Sequence, residues 1–361
     1  MSNQDDSNTS LVYTTPSSAP FLSHTPLPPL TPHTIQIKLH AAAINPVDIQ
    51  LWANPLIGWL TGRKEKGLGR DYAGVITAVG SAVPESTWAV GDRVFGLCQR
   101  PLAEGTFTRY LHVTPGKEAV ARMPACWGFE EAAAVPLVVL TAWACLDWLP
   151  ASPEAGHGRR RVVVAGASGG VGTWCVQLAK KVYGCHVTAI CSARNTDFVK
   201  GLGADEVVDY TSQDVVGTLL ASRPEGRKYD LYIDCVGGKD VFERWSELLH
   251  KHAAYVTIVG DKTSRTAMGG PLTYFTYPAQ VWRYLKGWAV GPRYANVLLY
   301  QKGGLLERVA RLADEEGVRV EVQEVVKGVL SEEEYKEAWE RVRELMVEGR
   351  VRGKIVVNIA D

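Results

Sequence analysis

A glycine-rich stretch that follows an apolar run offers the clearest chemistry in this sequence. The run Val162–Ala165 leads into Gly166, and after it come Ala167, Ser168, Gly169, Gly170, Val171 and Gly172. The spacing is A-x-G-x-x-G, with alanine at the first position of the dinucleotide fingerprint. Apolar residues then recur with helical spacing, so a pyrophosphate could approach the backbone at a helix start. The stretch predicts a dinucleotide-binding loop, although glycines alone would also fit a structural turn.

The residues after the second apolar run indicate which dinucleotide binds. That run ends near Ile190, where an NAD site places an Asp or Glu against the ribose 2′-hydroxyl. No carboxylate comes here before Asp197. The Ser192 hydroxyl and the Arg194 guanidinium could instead bind a 2′-phosphate, although Arg194 also fits a solvated surface position. The pattern favours NADPH as the cofactor.

The glycine loop also fits a competing motif, the G-x-S-x-G nucleophile elbow with Ser168 at its centre. Asp234 and His252 follow in the order of a Ser-Asp-His triad. No His-Gly-Gly-Gly segment precedes the loop, however, and a β-rich stretch of more than 100 residues does. A serine hydrolase therefore remains the less favoured alternative.

Two patterns of apolar residues divide the chain. Short β-like runs broken by glycine fill residues 34–114 and predict a small β-rich domain. From about residue 136, five apolar runs alternate with helical stretches, as in the βαβ units of a parallel sheet; these runs are Val162–Ala165, His186–Ile190, Glu206–Val208, Leu231–Val236 and Ala254–Val259. After about residue 300 the pattern predicts a short helix, a strand at Val318–Val326, a helix at Ser331–Glu348 and a strand at Lys354–Asn358.

These patterns predict an α/β fold with a doubly wound Rossmann sheet and a β-rich second domain. We place the Rossmann domain at 136–300 and build the β-rich domain from 1–135 and 301–361. Composition supports a globular chain, with 46% hydrophobic and 22% charged residues. The 39 basic and 39 acidic residues balance, so no pull on nucleic acid or an anionic membrane is expected.

Location is predicted from what the sequence does not contain. Seven cysteines without a C-x-x-C pair give neither a disulfide framework nor a zinc knuckle. Residues 1–37 match neither a secretory signal nor a mitochondrial presequence. The most apolar long segment, Ala132–Leu146, is too short to span a bilayer of about 30 Å. We therefore expect a cytoplasmic protein with no membrane span.

Further short motifs occur in one order from about residue 34 to Asn358: Ala43-Ile44-Asn45-Pro46-Val47-Asp48, Gly69-Arg70-Asp71-Tyr72-Ala73-Gly74, Val90-Gly91-Asp92-Arg93-Val94, the glycine loop and Gly353-Lys354-Ile355-Val356-Val357. With them the chain resembles the medium-chain dehydrogenases/reductases of the zinc-free quinone oxidoreductase group. The resemblance implies that the β-rich domain is GroES-like and catalytic. Members of the family are often dimers, so it also implies a homodimer as a candidate assembly.

The resemblance bears on metal binding. In the zinc alcohol dehydrogenases of this superfamily a Cys stands at the position of Asn45, and Gly-His-Glu stands at Gly69-Arg70-Asp71. Catalytic zinc needs about three Cys, His or carboxylate ligands. With Asn45 and Arg70 at these positions, the resemblance implies a zinc-independent enzyme and no metal site.

Without a Lewis acid, acceptors that take hydride readily suit such a site, namely quinones and alkenes conjugated to a carbonyl. Asn45 could donate a hydrogen bond to the developing oxyanion or to the nicotinamide carboxamide, or it could cap the following turn. Asp48 and Thr141 are weaker candidates beside the nicotinamide. The resemblance adds further cofactor contacts at Tyr210, Cys235, Val236, Val259, Gly260 and Lys354.

The segment from Tyr274 to Tyr300 is rich in aromatic residues, which fill eight of its 27 positions against 9% of the chain. It could pack a domain or dimer interface, or line a pocket for an apolar substrate. Fungal enoyl reductases of polyketide chains also resemble this sequence, but they carry a Ser-Thr-Ala-Thr run where this chain keeps Gly-Gly-Val-Gly.

The leading hypothesis is an NADPH-dependent, zinc-independent oxidoreductase that transfers hydride to a small apolar quinone or activated alkene. The alternatives are an enoyl reductase acting on acyl or polyketide thioesters and a non-catalytic NADPH-binding protein.

Overall fold

The computed structural model describes residues 7–84, 86–98, 100, 103–153, 158–262, 266–267, 269, 273–299, 303–348 and 351–360. The chain divides into two compact units. The first comprises 1–140, 265–267 and 301–361, and the second comprises 141–264 and 268–300. The domain boundaries drawn from the sequence stay a prediction.

The described residues form the following strands: β1 Ser7–Tyr13, β2 Phe21–Pro26, β3 Ile35–Ala43, β4 Lys66–Gly67, β5 Asp71–Val79, β6 Arg93–Leu97, β7 Tyr110–Val113, β8 Ala119–Arg122, β9 Arg161–Ala165, β10 His186–Cys191, β11 Glu206–Asp209, β12 Tyr229–Asp234, β13 Leu249–Thr257, β14 Arg293–Asn296, β15 Val322–Val326 and β16 Lys354–Asn358. They form the following helices: α1 Pro46–Trp52, α2 Pro55–Thr61, α3 Phe129–Ala133, α4 Pro136–Leu146, α5 Gly170–Lys181, α6 Thr196–Gly201, α7 Val215–Ala221, α8 Trp245–Leu248, α9 Thr273–Thr276, α10 Pro278–Val290, α11 Gly303–Glu316 and α12 Tyr335–Glu348.

The first unit is built on a sheet with the order β15-β16-β3-β5-β6-β8, in which β7 also pairs with β3. Ile35, Ile37 and Leu39 alternate along β3 and are all buried, as the strict alternation of its sequence predicts. Strand β3 runs antiparallel to both β5 and β16. The carboxyl end of β3 therefore lies between the first residues of β5 and β16.

The second unit is a parallel sheet with the order β11-β10-β9-β12-β13-β14. This is the doubly wound Rossmann order, in which ligands bind at the carboxyl ends of the strands, at the point between β9 and β12 where the strand order reverses. The predicted α/β class is confirmed. Strand β14 is an addition that the sequence did not reveal, because its four residues carry no continuous apolar run.

Some element bounds differ from those predicted. The last long helix begins at Tyr335 rather than Ser331, and the preceding strand begins at Val322 rather than Val318. Helix and strand ends are the least certain part of any sequence pattern. Within the described parts of the chain, no helix is long and apolar enough to cross a membrane.

Candidate functional site

The glycine loop makes a sharp turn between β9 and α5. Gly166 has a φ of +75°, a conformation that residues with a side chain rarely adopt. Its N–H and that of Ala167 both donate to the carbonyl oxygen of Ile190, each at 3.1 Å. A Cβ atom at Gly172 would lie 2.1 Å from the carbonyl oxygen of Gly166. The turn glycine is therefore Gly166, one position before the Ala167 of the motif, and Gly172 sets how closely the helix approaches.

The amino end of α5 has the features of an anion site. Gly169 is the N-cap residue of this helix, so the first N–H groups of Gly170, Val171 and Gly172 have no acceptor within the helix. A Cβ atom at Gly169 would meet only the Gly166 carbonyl oxygen, at an ordinary 3.4 Å. Protein packing therefore does not demand glycine at position 169, whereas close approach of a bound phosphate would.

A polar group forms beside this helix start. The buried Asn195 amide donates from Nδ2 to Ser168 Oγ at 3.0 Å and to Ser192 Oγ at 3.3 Å. Ser168 follows β9, and Ser192 follows the neighbouring β10. The two predicted serines thus accept hydrogen bonds from the same amide group, that of Asn195. Asn195 was not selected from the sequence, because an asparagine after a strand is an ordinary turn residue.

A carboxylate from the next strand also reaches this loop. Asp209, at the end of β11, accepts a hydrogen bond from the Ala193 N–H at 3.0 Å. Hydrogen bonds from the hydroxyl groups of Ser212 and Thr211 lower its pKa to about 2, so it is ionised at neutral pH. Arg194, the residue after Ala193, is exposed, and the predicted contact Tyr210 is 60% exposed. The loop thus combines a guanidinium with a hydrogen-bonded carboxylate.

The hydrogen-bonded pair of Asp234 and Thr257 shapes the two loops that follow β12 and β13. Asp234 Oδ1 accepts from the N–H groups of Val236 and Gly237 at 2.9 and 2.8 Å, while Asp234 Oδ2 accepts from Thr257 Oγ1 at 2.8 Å. Thr257 Oγ1 in turn accepts from the N–H groups of Val259 and Gly260. Burial raises the pKa of Asp234, opposed by these hydrogen bonds.

The Asp234–Thr257 pair therefore holds the loops that carry the predicted contacts Cys235, Val236, Val259 and Gly260. Both loops lie at the carboxyl ends of adjacent parallel strands. Sequence reasoning missed the positioning role of this pair, although each is a polar residue within an otherwise apolar run.

The serine hydrolase alternative does not fit this geometry. The register of β12 and β13 pairs Asp234 with Thr257. His252 lies five residues before Thr257 on the same strand, which at about 3.3 Å per residue puts it about 16 Å along the sheet. A Ser168–His252–Asp234 triad cannot form.

The first unit contains a buried polar cluster that joins three distant motifs. Lys354 Nζ donates to the Ile44 carbonyl oxygen at 2.9 Å, to Asp71 Oδ2 at 3.1 Å and to Asn45 Oδ1. Asn45 Nδ2 donates to Asp71 Oδ2 at 2.8 Å, and Leu137 N donates to Asp71 Oδ1 at 2.8 Å. Asn45 and Asp71 are fully buried. All three hydrogens of the ammonium group thus have protein acceptors.

A second ion pair completes the cluster. Asp48 Oδ2 accepts from the Asn45 backbone N–H at 2.8 Å, and Asp48 Oδ1 lies 3.5 Å from Arg70 Nε. Burial raises the pKa of Asp48 to about 6, although the Arg70 charge acts in the opposite direction. Asn45 is also the N-cap residue of α1. The structure thus gives Asn45 and Asp48 a role in organising the start of this helix.

The predicted residues consequently fall into two groups. Asn45, Asp48 and Lys354 lie together in the first unit, whereas Thr141 and the other predicted cofactor contacts lie in the second. Thr141 is buried in α4. Contacts of these residues with a cofactor or substrate stay predictions.

No metal centre is evident in the described part of the chain, where no three His, Cys, Asp or Glu side chains converge. The two positions singled out for zinc carry Asn45, which bonds to Asp71 and Lys354, and Arg70, which pairs with Asp48. The residues present do not fit a catalytic zinc ion, because an amide and a guanidinium replace the expected thiolate and imidazole.

The aromatic segment has two environments. Tyr294 is buried and stacks on Tyr255 at 5.8 Å, with Tyr274 against its edge at 6.5 Å. Trp282 and Trp288 are instead 68% and 82% exposed. Tyr300 lies outside the described residues. Part of the segment therefore packs the second unit, and part faces solvent.

Comparison with known proteins identifies the family. Residues 31–139 match the alcohol dehydrogenase GroES-like domain, and residues 202–357 match the family described as zinc-binding dehydrogenase. The NAD(P)H oxidoreductase RTN4IP1, mitochondrial, of Danio rerio is 30% identical over 348 residues, 91% of this chain and 84% of that protein. The chain belongs to the medium-chain dehydrogenase/reductase superfamily.

Two other proteins refine its place in the medium-chain dehydrogenase/reductase superfamily. The trans-enoyl reductase pgmF of Aspergillus terreus is 31% identical over 336 residues, 92% of this chain and 88% of that protein. The structure of the quinone oxidoreductase from Coxiella burnetii superimposes with a TM-score of 0.75 at 25% identity, covering 98% of this chain and all of that one. The predicted membership in the quinone oxidoreductase-like group and the GroES-like domain are confirmed.

Proposed function

We propose that this protein is an NADPH-dependent reductase that transfers hydride to a small apolar quinone or activated alkene without zinc. The observation that carries the proposal is the glycine loop at the start of α5, with Ser168, Ser192 and Asn195 hydrogen-bonded beside it. NADPH, when bound, supplies the hydride, and the protein supplies binding and orientation.

Three groups of residues in the second unit support the proposal that it binds NADPH. The first N–H groups of α5 would bind the pyrophosphate. Ser192 and Arg194 would bind the 2′-phosphate, with Asn195 holding the serine in place. The loops held by Asp234 and Thr257 would border the nicotinamide ribose, as the family resemblance implies.

The first unit supports the zinc-independent part of the proposal. The Lys354 ammonium group is the counter-ion of Asp71, so this buried carboxylate is balanced without a metal. Asn45 Nδ2 has one hydrogen beyond the one donated to Asp71, and we propose that it is offered to the oxyanion or to the nicotinamide carboxamide. Stoichiometric zinc in chelator-washed, active protein would overturn this part.

The decisive experiment measures NADPH oxidation with two acceptors in parallel, 9,10-phenanthrenequinone and a 2-enoyl thioester. Saturable turnover of the quinone is expected. Gly169→Ala tests the role of the loop, since it should fold normally but would place a methyl group in the proposed anion site. Turnover unaffected by this variant would argue against the assigned cofactor loop.

A preference for the thioester would favour the second candidate, an enoyl reductase, which the similarity to the trans-enoyl reductase of Aspergillus terreus supports. NADPH binding without turnover of either acceptor would favour a non-catalytic role. The cytoplasmic location and the homodimer stay predictions, and one relative is named mitochondrial.

A further inference from the structure

Helix α10 is held to the second unit by its polar side. Gln280 Oε1 accepts from Tyr294 Oη at 2.9 Å, and Arg283 forms a bidentate pair with Asp261 at 2.7 and 2.9 Å. A Cβ atom at Gly287 would lie 2.5 Å from a backbone carbonyl oxygen, so the helix also packs closely there. Positions 280, 283 and 287 recur at helical spacing and define the inner side.

The opposite side of α10 is apolar and faces solvent. Val281, Trp282, Leu285 and Trp288 also recur at helical spacing and are 39%, 68%, 52% and 82% exposed. We call these four residues the apolar stripe. Phe275, on the preceding helix α9, is 86% exposed. An amphipathic helix normally buries this side, so an unpartnered stripe of such large side chains indicates a binding surface.

The charged residues of the segment that carries the stripe, residues 273–299, are all basic. Residues 262–306 include six Lys and Arg but no Asp or Glu. Of these, Arg283 is paired with Asp261 just outside the range, and Lys262 is buried. Of these basic residues, Lys286 at the edge of the stripe and Arg293 just beyond the helix are exposed. Charges act over about 8 Å at physiological salt, so this local excess matters more than the neutral total from which no membrane attraction was predicted.

We propose that α10 lies on the surface of an anionic lipid bilayer, with the apolar stripe inserted at the level of the headgroups. Tryptophan is enriched at this depth, where its ring is apolar and its N–H can be hydrated. Leu and Val supply apolar area, and the basic rim meets anionic headgroups.

A second copy of the chain fits the stripe less well. In a two-fold symmetric dimer centred on α10, the stripe would face itself, and Lys286 would approach the Lys286 of the other copy. The neighbouring carboxylate of Asp261 is engaged by Arg283 and does not offset this repulsion. The bilayer proposal is independent of the reductase reaction, because it rests on exposure and charge outside the cofactor loops.

The test is co-sedimentation of the full chain with vesicles of phosphatidylcholine, with and without phosphatidylserine. We expect binding to the anionic vesicles that weakens with salt. The double variant Trp282→Ser/Trp288→Ser should weaken binding about tenfold or more. Trp59→Ser is the matched control, because this tryptophan is 79% exposed on α2 and outside the stripe. Circular dichroism and NADPH binding check that each variant is folded.

Lys286→Glu provides a second variant that leaves the apolar side chains intact, and it should weaken binding to anionic vesicles only. Failure of the folded wild-type chain to bind anionic vesicles would overturn the proposal, as would an equal loss in Trp59→Ser. A wild-type dimer that the double variant dissociates, without vesicle binding, would assign the stripe to a second copy. An increased KM for the quinone in vesicle-free solution, again without vesicle binding, would assign it to the substrate.

Discussion

Lys354 and Asp71 are 283 residues apart in the sequence, yet Lys354 Nζ lies 3.1 Å from Asp71 Oδ2 in the interior of the first unit. Strand β3 brings them together, since it pairs with the strand that begins at Asp71 and with the strand that begins at Lys354. Each side chain is at most 6% exposed, so water solvates neither charge and each depends on the other for stabilisation.

Removing the Lys354 ammonium group should therefore destabilise the folded protein. Lys354→Met leaves Asp71 buried without its counter-ion, and we expect the free energy of unfolding in urea to fall by about 3–5 kcal/mol. The double variant Lys354→Met/Asp71→Asn contains no uncompensated charge and should recover most of the loss. A double variant as unstable as the single one would show that lost packing, rather than the unpaired charge, causes the effect.

The raised pKa of Asp48 predicts a pH dependence of stability. Its pKa is about 6 in the folded protein and about 4 in an unfolded chain, so the folded state binds more protons between these values. Stability should fall as pH rises from about 4 to about 6, by roughly 3 kcal/mol for this group, and then level off.

Urea unfolding of wild type and Asp48→Asn across this range measures the effect, since only the wild type should show this component of the slope. The variant also loses its ion pair with Arg70, so the slope rather than the absolute stability is the readout. Asp197→Asn, at an exposed position on α6, is the control and should keep the wild-type slope. Identical slopes in all three proteins would contradict the assignment.

The two glycines of the A-x-G-x-x-G motif, Gly169 and Gly172, should respond differently to alanine. Gly172→Ala forces a methyl group to within 2.1 Å of a carbonyl oxygen and should lower the melting temperature. Gly169→Ala meets only an ordinary contact at 3.4 Å and should fold normally while binding NADPH weakly. Thermal unfolding and fluorescence titration with NADPH separate the two effects. Normal NADPH affinity in folded Gly169→Ala would contradict the proposal that the pyrophosphate binds at this loop.

Arg194 should decide between the two nicotinamide dinucleotides. Arg194→Ala would remove the proposed charge-assisted hydrogen bond to the 2′-phosphate, and we expect the ratio of NADPH to NADH affinity to fall about tenfold or more. Lys200→Ala removes an exposed positive charge on the neighbouring helix α6 and should leave the ratio unchanged. Equal effects of both substitutions would show that Arg194 acts only through its positive charge and makes no specific contact with the 2′-phosphate.

Thr257 offers a test of how the cofactor loops are positioned. Thr257→Val removes the hydroxyl that donates to Asp234 and accepts from the N–H groups of Val259 and Gly260. We expect a loss of about 1–3 kcal/mol in stability and weaker NADPH binding. Thr257→Ser keeps the hydroxyl and should restore the NADPH affinity. If the serine variant binds as weakly as the valine variant, the hydroxyl group alone does not position the loops.

The sequence alone determined the parts of this protein that depend on local patterns. Continuous apolar runs predicted the buried parallel strands, because a strand covered on both faces has no polar side. The glycine spacing predicted the turn into α5, because the close approach of that helix to the preceding strand leaves no room for a Cβ atom at Gly172. Polar β14 had no such pattern and was missed.

Only the tertiary structure decided which distant residues meet and which side of a helix is covered. The motifs of Asn45, Asp71 and Lys354 were each visible in the sequence, but their hydrogen bonds arise from the antiparallel pairing of β3 with two other strands. Asn195 gained its role because parallel pairing sets the end of β10 beside the end of β9. The sequence showed only that residues 274–300 are rich in aromatic residues, and the contacts of Gln280 and Arg283 determined which side of α10 faces solvent. A pattern in one segment carries no information about its partner, and burial depends on that partner.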